Sequence, residues 1–198
     1  RYEYSNAARF CFKLMDYKPS PLFNDVSHGP ADCSAFWVIT DDKVRIRVGL
    51  WRAKSPTGTV FICPGRSEYI EKYGKTAKLF TEHGYTSVSL DWRGQGLADR
   101  LVSNTLLGHV DTFSDYSKDL DSVIKWAQNF ELPKPWFVLG HSMGGAIILR
   151  ALHQNKHFDA VAFSCPMWGI KLSPALRIFA FFYGNLSKLL KIDKNFAP

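Results

Sequence analysis

The sequence has no run of about 18 uncharged apolar residues, which argues against a membrane-spanning helix. Its four cysteines lie far apart and form no CxxC pair. That spacing disfavours a zinc ribbon, a dithiol redox site and a dense disulfide framework, and it favours a reducing compartment. With only 14 Gly and 10 Pro among 198 residues, the chain is neither collagen-like nor of low complexity. A chain of this length buries roughly 70% of its unfolded surface, so we expect one soluble globular domain that needs no metal or disulfide.

Basic residues are scattered along most of the chain, although the net charge is +7. The exception is 171–198, which holds five basic residues and one acidic residue. Because no nucleic-acid-binding module accompanies this charge, we expect no nucleic acid partner. No charged-then-apolar signal segment is visible at the start of the sequence. The cysteine usage and the basic end favour a cytoplasmic location, with peripheral contact to a membrane.

The sequence predicts a β-hairpin followed by alternating strands and helices. Ala35–Thr40 and Val44–Trp51 are rich in β-forming residues and flank a short polar turn. The later strands are predicted at Thr59–Cys63, Thr86–Leu90, Trp136–Leu139 and Ala160–Ser164. The helices are predicted at Tyr69–His83, at Phe113–Phe130 with Ser114 or Thr112 as its cap, and from Ser142 to about His153. Such alternation predicts an α/β protein with a mostly parallel sheet, helices on both faces, and function at the carboxyl ends of the strands.

Gly140-His141-Ser142-Met143-Gly144 matches G-x-S-x-G between an apolar strand and an apolar helix. A nucleophile elbow requires this context, because its serine occupies a strained turn with closely packed neighbours. The alternative is an ordinary glycine-rich turn with a buried serine. Acyl transfer through Ser142 would need two amide donors for the oxyanion. We predict the N–H of Met143, directly after the serine, and the N–H of Arg66, in the loop after an earlier strand.

Three motifs in matching order and spacing carry a resemblance to a known family. Pro64-Gly65-Arg66-Ser67-Glu68 matches an oxyanion loop usually written H-G-x-x-E, Asp91-Trp92-Arg93-Gly94-Gln95-Gly96 matches D-x-R-G-H-G, and Gly140 to Gly145 matches the elbow. From about residue 35 to 170 the chain resembles bacterial lysophospholipases of the monoacylglycerol-lipase-like branch of the α/β-hydrolases, which are also grouped with S33 serine aminopeptidases. Pro64 and Gln95 depart from the usual histidines. The two histidine side chains are lost, but the backbone amides predicted to bind the oxyanion are kept.

The resemblance implies an α/β-hydrolase fold with Ser142 as nucleophile and the Arg66 and Met143 N–H groups as the oxyanion hole. It also implies that a helical cap, a strand-end Asp and a loop His follow the sixth strand, in the chain order Ser, acid, His. After Ser142 the sequence offers one strand and one apolar helical stretch, so we interpret the chain as truncated. We therefore expect these 198 residues alone not to hydrolyse esters, because Ser142 has no base.

The histidines and Asp91 are weaker candidates for the chemistry. His141 adjoins Ser142, so its ring cannot easily turn onto the serine oxygen. His153 and His157 have the spacing of metal ligands on a helix, but no glutamate follows His153 to form H-E-x-x-H. We predict no metal and no cofactor, and we expect Asp91 to brace its own turn. The histidines expected to be solvated are His28, His83 and His109.

We predict three regions: an irregular lead-in at 1–34, an α/β-hydrolase core at 35–170, and the start of a cap at 171–198. In the last region, apolar residues follow a helical seam with cations beside it. One interpretation is a helix packed on the rest of the domain. The other is a lid whose apolar face meets an acyl chain while its cations meet lipid headgroups, and the resemblance favours this version.

The predicted function is cleavage of carboxylic esters of lysophospholipids or monoacylglycerols through an acyl-enzyme on Ser142. The predicted partners are a lipid ester substrate and, through the basic apolar cap, a membrane surface. The oligomeric state stays open. A peptidase or acyltransferase of the same fold is one alternative, and a non-catalytic binding protein or inactive fragment is another.

Overall fold

One sheet organises the chain, whose computed structural model describes residues 17–154 and 158–190. The strands are β1 (Cys33–Ile39), β2 (Arg45–Trp51), β3 (Gly58–Cys63), β4 (Tyr85–Asp91), β5 (Trp136–His141) and β6 (Ala160–Ser164). The helices are α1 (Asn24–Ser27), α2 (Gly74–Glu82), α3 (Asp115–Asn129), α4 (Met143–Gln154) and α5 (Pro174–Leu189), with a 3₁₀ turn at Ile70–Tyr73.

The strand order across the sheet is β1-β2-β4-β3-β5-β6. β1 and β2 pair antiparallel as the predicted hairpin, and β2 is also antiparallel to β4. All pairs among β4, β3, β5 and β6 are parallel. The sheet is therefore mostly parallel, as predicted, and the carboxyl ends of β3, β4 and β5 lie side by side at one edge.

Both faces of the sheet are covered at its central strands. Alternate residues of these strands point to opposite sides and join different clusters of buried residues. Phe61 of β3 belongs to the larger core, which includes Ile124 of α3 and Ile147 of α4. Its neighbour Ile62 belongs to a second cluster, which Phe80 of α2 joins on the other face. The predicted arrangement of helices on both faces is confirmed.

Two helix starts differ in detail from the prediction. The helix expected at Tyr69–His83 begins as a 3₁₀ turn, because the Ile70 N–H donates to Asp91 Oδ1 at 2.9 Å and ties this segment to the end of β4. Ser114 does not cap α3, since its hydroxyl contacts Thr112 Oγ1 at 2.8 Å. The Asp115 carboxylate instead accepts the Thr112 N–H at 3.1 Å, so an acidic first-turn residue orders this helix start.

Arg47 is the centre of a buried ion network beneath the carboxyl end of β4. Only 1% of its side chain is exposed. Its Nε donates to Asp91 Oδ2 at 2.7 Å, and its two Nη groups donate to the two Glu71 oxygens at 2.8 Å each. Asp91 also accepts the N–H groups of Ile70 and Leu97, so it braces its own turn as expected. The network joins β2, β4 and the 3₁₀ turn.

Replacing Arg47 by methionine should destabilise the fold strongly, because two buried carboxylates would lose their cation. We expect Arg47→Met to lower the free energy of unfolding by about 3–5 kcal/mol in urea titrations. Arg45→Met is the matched control on the same strand, since Arg45 pairs with Asp99 at the surface and should contribute at most about 1 kcal/mol. Equal losses from the two variants would contradict this account of Arg47.

Helix α5 coincides with the apolar stretch for which a helix was predicted, and most of its surface is exposed. Phe179, Phe181 and Phe182 are 60%, 67% and 66% exposed. Over residues 17–154 and 158–190, no helix has the length and apolar character needed to cross a membrane. Residues 1–16 of the predicted lead-in and 191–198 of the predicted cap lie outside the described residues, so the division into three regions stays a prediction.

Candidate active site

Ser142 occupies the sharp turn between β5 and α4. Its φ is 49°, in the left-handed region that side chains other than glycine rarely adopt. Two contacts hold this conformation: the Ser142 N–H donates to the Ser164 carbonyl at 3.1 Å, and its own carbonyl accepts the Met167 N–H at 2.9 Å. The end of β6 and the loop after it therefore hold the turn, and Ser142 has the strained geometry expected of a nucleophile elbow.

Gly144 permits the close approach that this turn needs. A Cβ added there would lie 2.2 Å from the Cys63 carbonyl oxygen and 2.5 Å from that of Pro64. Both contacts are with backbone, so no side chain could move to make room. The first turn of α4 consequently abuts the end of β3, and the glycine of the sequence motif has a steric cause.

The loop predicted to supply an oxyanion donor lies against Ser142. A Cβ added at Gly65 would be 3.1 Å from Ser142 Cβ. Arg66 comes next in this loop, and Met143 is the first residue of α4. Neither the Arg66 N–H nor the Met143 N–H has an acceptor within residues 17–154 and 158–190. Both amides thus remain available for an oxyanion, and the positive end of the α4 dipole is directed at the same place.

Glu68 binds the backbone of the oxyanion loop, a role that its place in the sequence motif does not indicate. Its Oε2 accepts the Gly65 N–H at 2.6 Å and the Tyr73 hydroxyl at 2.5 Å, while its Oε1 pairs with Lys72. Burial alone would raise the pKa of Glu68, but the hydrogen bonds from Lys72, Tyr73 and Gly65 together hold that pKa below its usual value. The carboxylate is therefore ionised at neutral pH and committed to the loop.

The loop after β4 supports the oxyanion loop from the side. Trp92 Nε1 donates to the Pro64 carbonyl at 2.9 Å, and the Gln95 side-chain oxygen accepts the Ser67 N–H. The sequence motifs identify both loops but say nothing of these contacts. The position of Gln95, four residues after β4, does not predict which backbone amide its side chain binds.

None of the histidines that the structure describes is bonded to Ser142. His141 Nδ1 lies 3.1 Å from the Ser164 carbonyl oxygen, so its ring turns away from the serine as predicted. His28 and His83 are exposed, as is His153 near the end of α4, whereas His157 lies outside the described residues. The part of the chain that the structure describes contains no cluster of three metal-ligating residues.

The prediction that His109 is solvated is wrong. Its side chain is 13% exposed and its Nε2 lies 3.0 Å from Asp111 Oδ1. The cause is the fold of loop 101–112, which returns to the loop after β4: a Cβ added at Gly94 would be 2.7 Å from the His109 carbonyl oxygen. No sequence pattern indicates this return of a polar loop.

An apolar groove of about 620 Å³ runs along α4. Its wall includes Ala146 and Met167, whose N–H groups both donate to the Ser142 carbonyl, at 3.4 and 2.9 Å. The other lining residues are Phe113, Leu149, Arg150, His153 and Trp168. A volume of this order suits a small organic ligand, and the mostly apolar lining favours a hydrocarbon group.

Strain at Ser142 predicts an unusual order of stability among its variants. We expect Ser142→Gly to have a free energy of unfolding about 1 kcal/mol above that of Ser142→Ala, because glycine adopts the left-handed conformation without cost. Chemical denaturation of both variants measures the difference. Ser55 is the control: it is an exposed loop serine without positive φ, so glycine there should be no better than alanine. The same order at both positions would refute strain at Ser142.

A mostly parallel sheet with this strand order and a serine on a strained β5-to-α4 turn defines an α/β-hydrolase fold. The α/β-hydrolase GrgF from Penicillium sp. sh18 has the same fold, with a TM-score of 0.67 at 22% identity over 82% of this chain and 56% of that chain. The family model "Serine aminopeptidase, S33" matches residues 54–197. The chain belongs to this family.

Curated relatives are named for lipid hydrolysis. Lysophospholipase L2 of Escherichia coli is 39% identical over 133 residues, which are 65% of this chain and 38% of that protein. Monoacylglycerol lipase of Mycolicibacterium smegmatis is 32% identical over 154 residues, which are 76% of this chain and 53% of that protein. The chain therefore spans between about two fifths and one half of the length of these relatives.

Proposed function

We propose that the chain carries the nucleophile of a serine hydrolase that cleaves carboxylic esters of lipids, most specifically of lysophospholipids or monoacylglycerols. The observation that carries the proposal is Ser142 in a left-handed turn beside two amides, of Arg66 and Met143, that have no acceptor among the described residues. A structural serine would have no need of this strain. The names of the relatives and the apolar groove support a lipid acyl group as the part of the substrate that is bound.

In the proposed mechanism, Ser142 Oγ attacks the ester carbonyl while a histidine base takes its proton. The negative charge on the former carbonyl oxygen is stabilised by the Arg66 and Met143 N–H groups. The histidine then protonates the leaving alkoxide, which departs as the alcohol and leaves an acyl-enzyme. Water, deprotonated by the same histidine, attacks the acyl carbonyl, and the fatty acid is released with Ser142 restored.

The base and the acid that orients it are proposed to lie in a part of the protein C-terminal to this chain. The sheet supports this proposal, because β6 is only half covered. Ala160, Ala162 and Ser164 are exposed, whereas every residue of the central strand β3 is buried. In a parallel α/β sheet both faces are normally covered, so the exposed face of β6 supports a further element of the protein that packs on it.

Removal of the Ser142 hydroxyl tests the proposal in the full-length protein. We expect Ser142→Ala to lower hydrolysis of lysophosphatidylcholine and monooleoylglycerol at least 10³-fold, measured as released fatty acid, and to abolish labelling by a fluorophosphonate. Ser55→Ala, at the opposite end of the sheet, should retain both. The 198-residue chain should show no turnover.

The same panel discriminates the alternatives. Turnover of aminoacyl amides with no turnover of acyl esters would replace the lipid hydrolase by a peptidase, and transfer of the acyl group to an added alcohol would indicate an acyltransferase. Ser142→Ala with undiminished biological activity would favour a binding protein.

We propose further that residues 171–198 begin a cap that touches the lipid surface. Phe181 and Phe182 are exposed on α5, and Lys171 and Arg177 are exposed near its start, so this helix presents apolar area together with positive charge. This combination is suited to anionic membranes. It supports the cap without fixing whether α5 also packs on another part of the protein.

A charge placed on the apolar surface of α5 should weaken membrane binding. We expect Phe182→Asp to lower partitioning of the full-length protein into phosphatidylglycerol-containing vesicles about tenfold or more, because burial of one aromatic side chain contributes about 1.5–3 kcal/mol. Sedimentation with the vesicles measures the effect. Leu106→Asp is the control, since Leu106 is 82% exposed in a loop of the core. Equal binding by wild type and Phe182→Asp would remove α5 from the membrane contact.

A further inference from the structure

The oxyanion loop contains three successive amides, and side chains bind two of them. The Gly65 N–H donates to Glu68 Oε2 at 2.6 Å, and the Ser67 N–H donates to Gln95 Oε1. The N–H of Arg66, between them, has no acceptor within residues 17–154 and 158–190. The peptide plane that carries this N–H is thus flanked by two anchored peptide planes. The two anchors hold the planes on either side of the free amide, which limits how far the loop can carry the Arg66 N–H away from Ser142.

Gln95 is itself firmly placed. It is 4% exposed, its N–H donates to the Trp92 carbonyl at 3.0 Å, and its carbonyl accepts the Ala98 N–H at 3.0 Å. The same loop is fastened to Asp91 through the Leu97 N–H at 2.8 Å. Gln95 therefore reaches Ser67 from a rigid support.

Ser67 needs such an anchor because its backbone is strained. Its φ is 61°, in the left-handed region. Glycine, Asn and Asp tolerate this conformation best, and Ser67 is none of these. Ser67 is also exposed to solvent, so packing of its own side chain does not fix it. The hydrogen bond that the Ser67 N–H donates to the buried Gln95 side chain holds the turn.

We infer that Gln95 is a positioning residue of the oxyanion hole: its side-chain oxygen holds the Ser67 amide and so keeps the Arg66 N–H directed at the position of the oxyanion. The inference rests on the proposed function and adds a residue to it. From the motif alone, Gln95 is a departure from the usual histidine, and only the backbone amides of the loop are expected to act. The structure assigns a role to its side chain instead.

Gln95→Met tests the inference in the full-length protein, because methionine has nearly the same size but no comparable acceptor. Assayed at pH 8.5 with p-nitrophenyl butyrate, the variant should lose 10- to 100-fold in kcat while KM stays within twofold, since the anchor acts on transition-state stabilisation. The affinity for a trifluoromethyl ketone, which forms a tetrahedral adduct, should fall in parallel with kcat.

Three further variants separate positioning from folding. Gln95→Asn keeps the polarity of the buried position but falls one methylene short of Ser67, so it should lose kcat like methionine. Gln95→His supplies a neutral imidazole acceptor at pH 8.5 and should restore kcat to within about fivefold of wild type. Gln128→Met changes an exposed glutamine on α3 and should leave both constants unchanged.

The outcomes distinguish this inference from the function on which it rests. Unchanged kcat in Gln95→Met and Gln95→Asn, with turnover still dependent on Ser142, would overturn the role of Gln95 alone. The same conclusion would follow if Gln95→His were as slow as Gln95→Met, or if KM rose while kcat held. If the wild-type protein hydrolysed no ester in a Ser142-dependent manner, the proposed function would fail and this inference with it.

Discussion

The carboxylate of Asp91 is the contact on which the geometry of the site depends. It is fully buried and accepts hydrogen bonds from Arg47 of β2, from the Ile70 N–H after the oxyanion loop, and from the Leu97 N–H after β4. Both loops that approach Ser142 are therefore fastened to one side chain. Gly96 leaves room for this carboxylate, because a Cβ at that position would lie 2.2 Å from Asp91 Cγ. Its φ of 49° also favours glycine. A larger residue at this position would displace the carboxylate and release both loops.

Two acidic residues near the serine have structural roles. Asp91 is occupied by Arg47, and Glu68 is held ionised by Lys72, Tyr73 and the Gly65 N–H. A triad acid must be free to orient a histidine, and each of these carboxylates already has its partners. Their position in the chain before Ser142 agrees with this division of roles. These charges hold the loops of the proposed oxyanion hole, while the proton-transfer groups are proposed to come from elsewhere in the protein.

The sequence predicted the strands, their parallel arrangement and the turn that carries Ser142, because hydrophobic periodicity and glycine spacing are local signals. It missed what depends on contacts distant in the chain. The 3₁₀ turn at 70–73 arises from Asp91, the burial of His109 from a loop that folds back on Gly94, and the anchoring of Ser67 from Gln95, 28 residues later. Two of these contacts join one polar side chain to one backbone amide, and the third is a close approach of two loop backbones. A single sequence contains no pattern for such pairs. The motif glycines were more informative, since Gly144 and Gly140 record close approaches to backbone that only glycine permits.

Rigid and exposed parts of the chain are suited to different tasks. The oxyanion loop, the elbow and the loop after β4 bind one another through buried hydrogen bonds, so the amides are oriented before a substrate arrives. Preorganisation of this kind stabilises developing charge without reorganisation at the moment of reaction. Helix α5 differs from these loops, because its phenylalanine side chains are exposed and do not pack in the core. Under the proposed function, changes in α5 should therefore alter which lipids the proposed cap binds, whereas changes in the anchored loops should alter how fast the proposed bond to Ser142 forms.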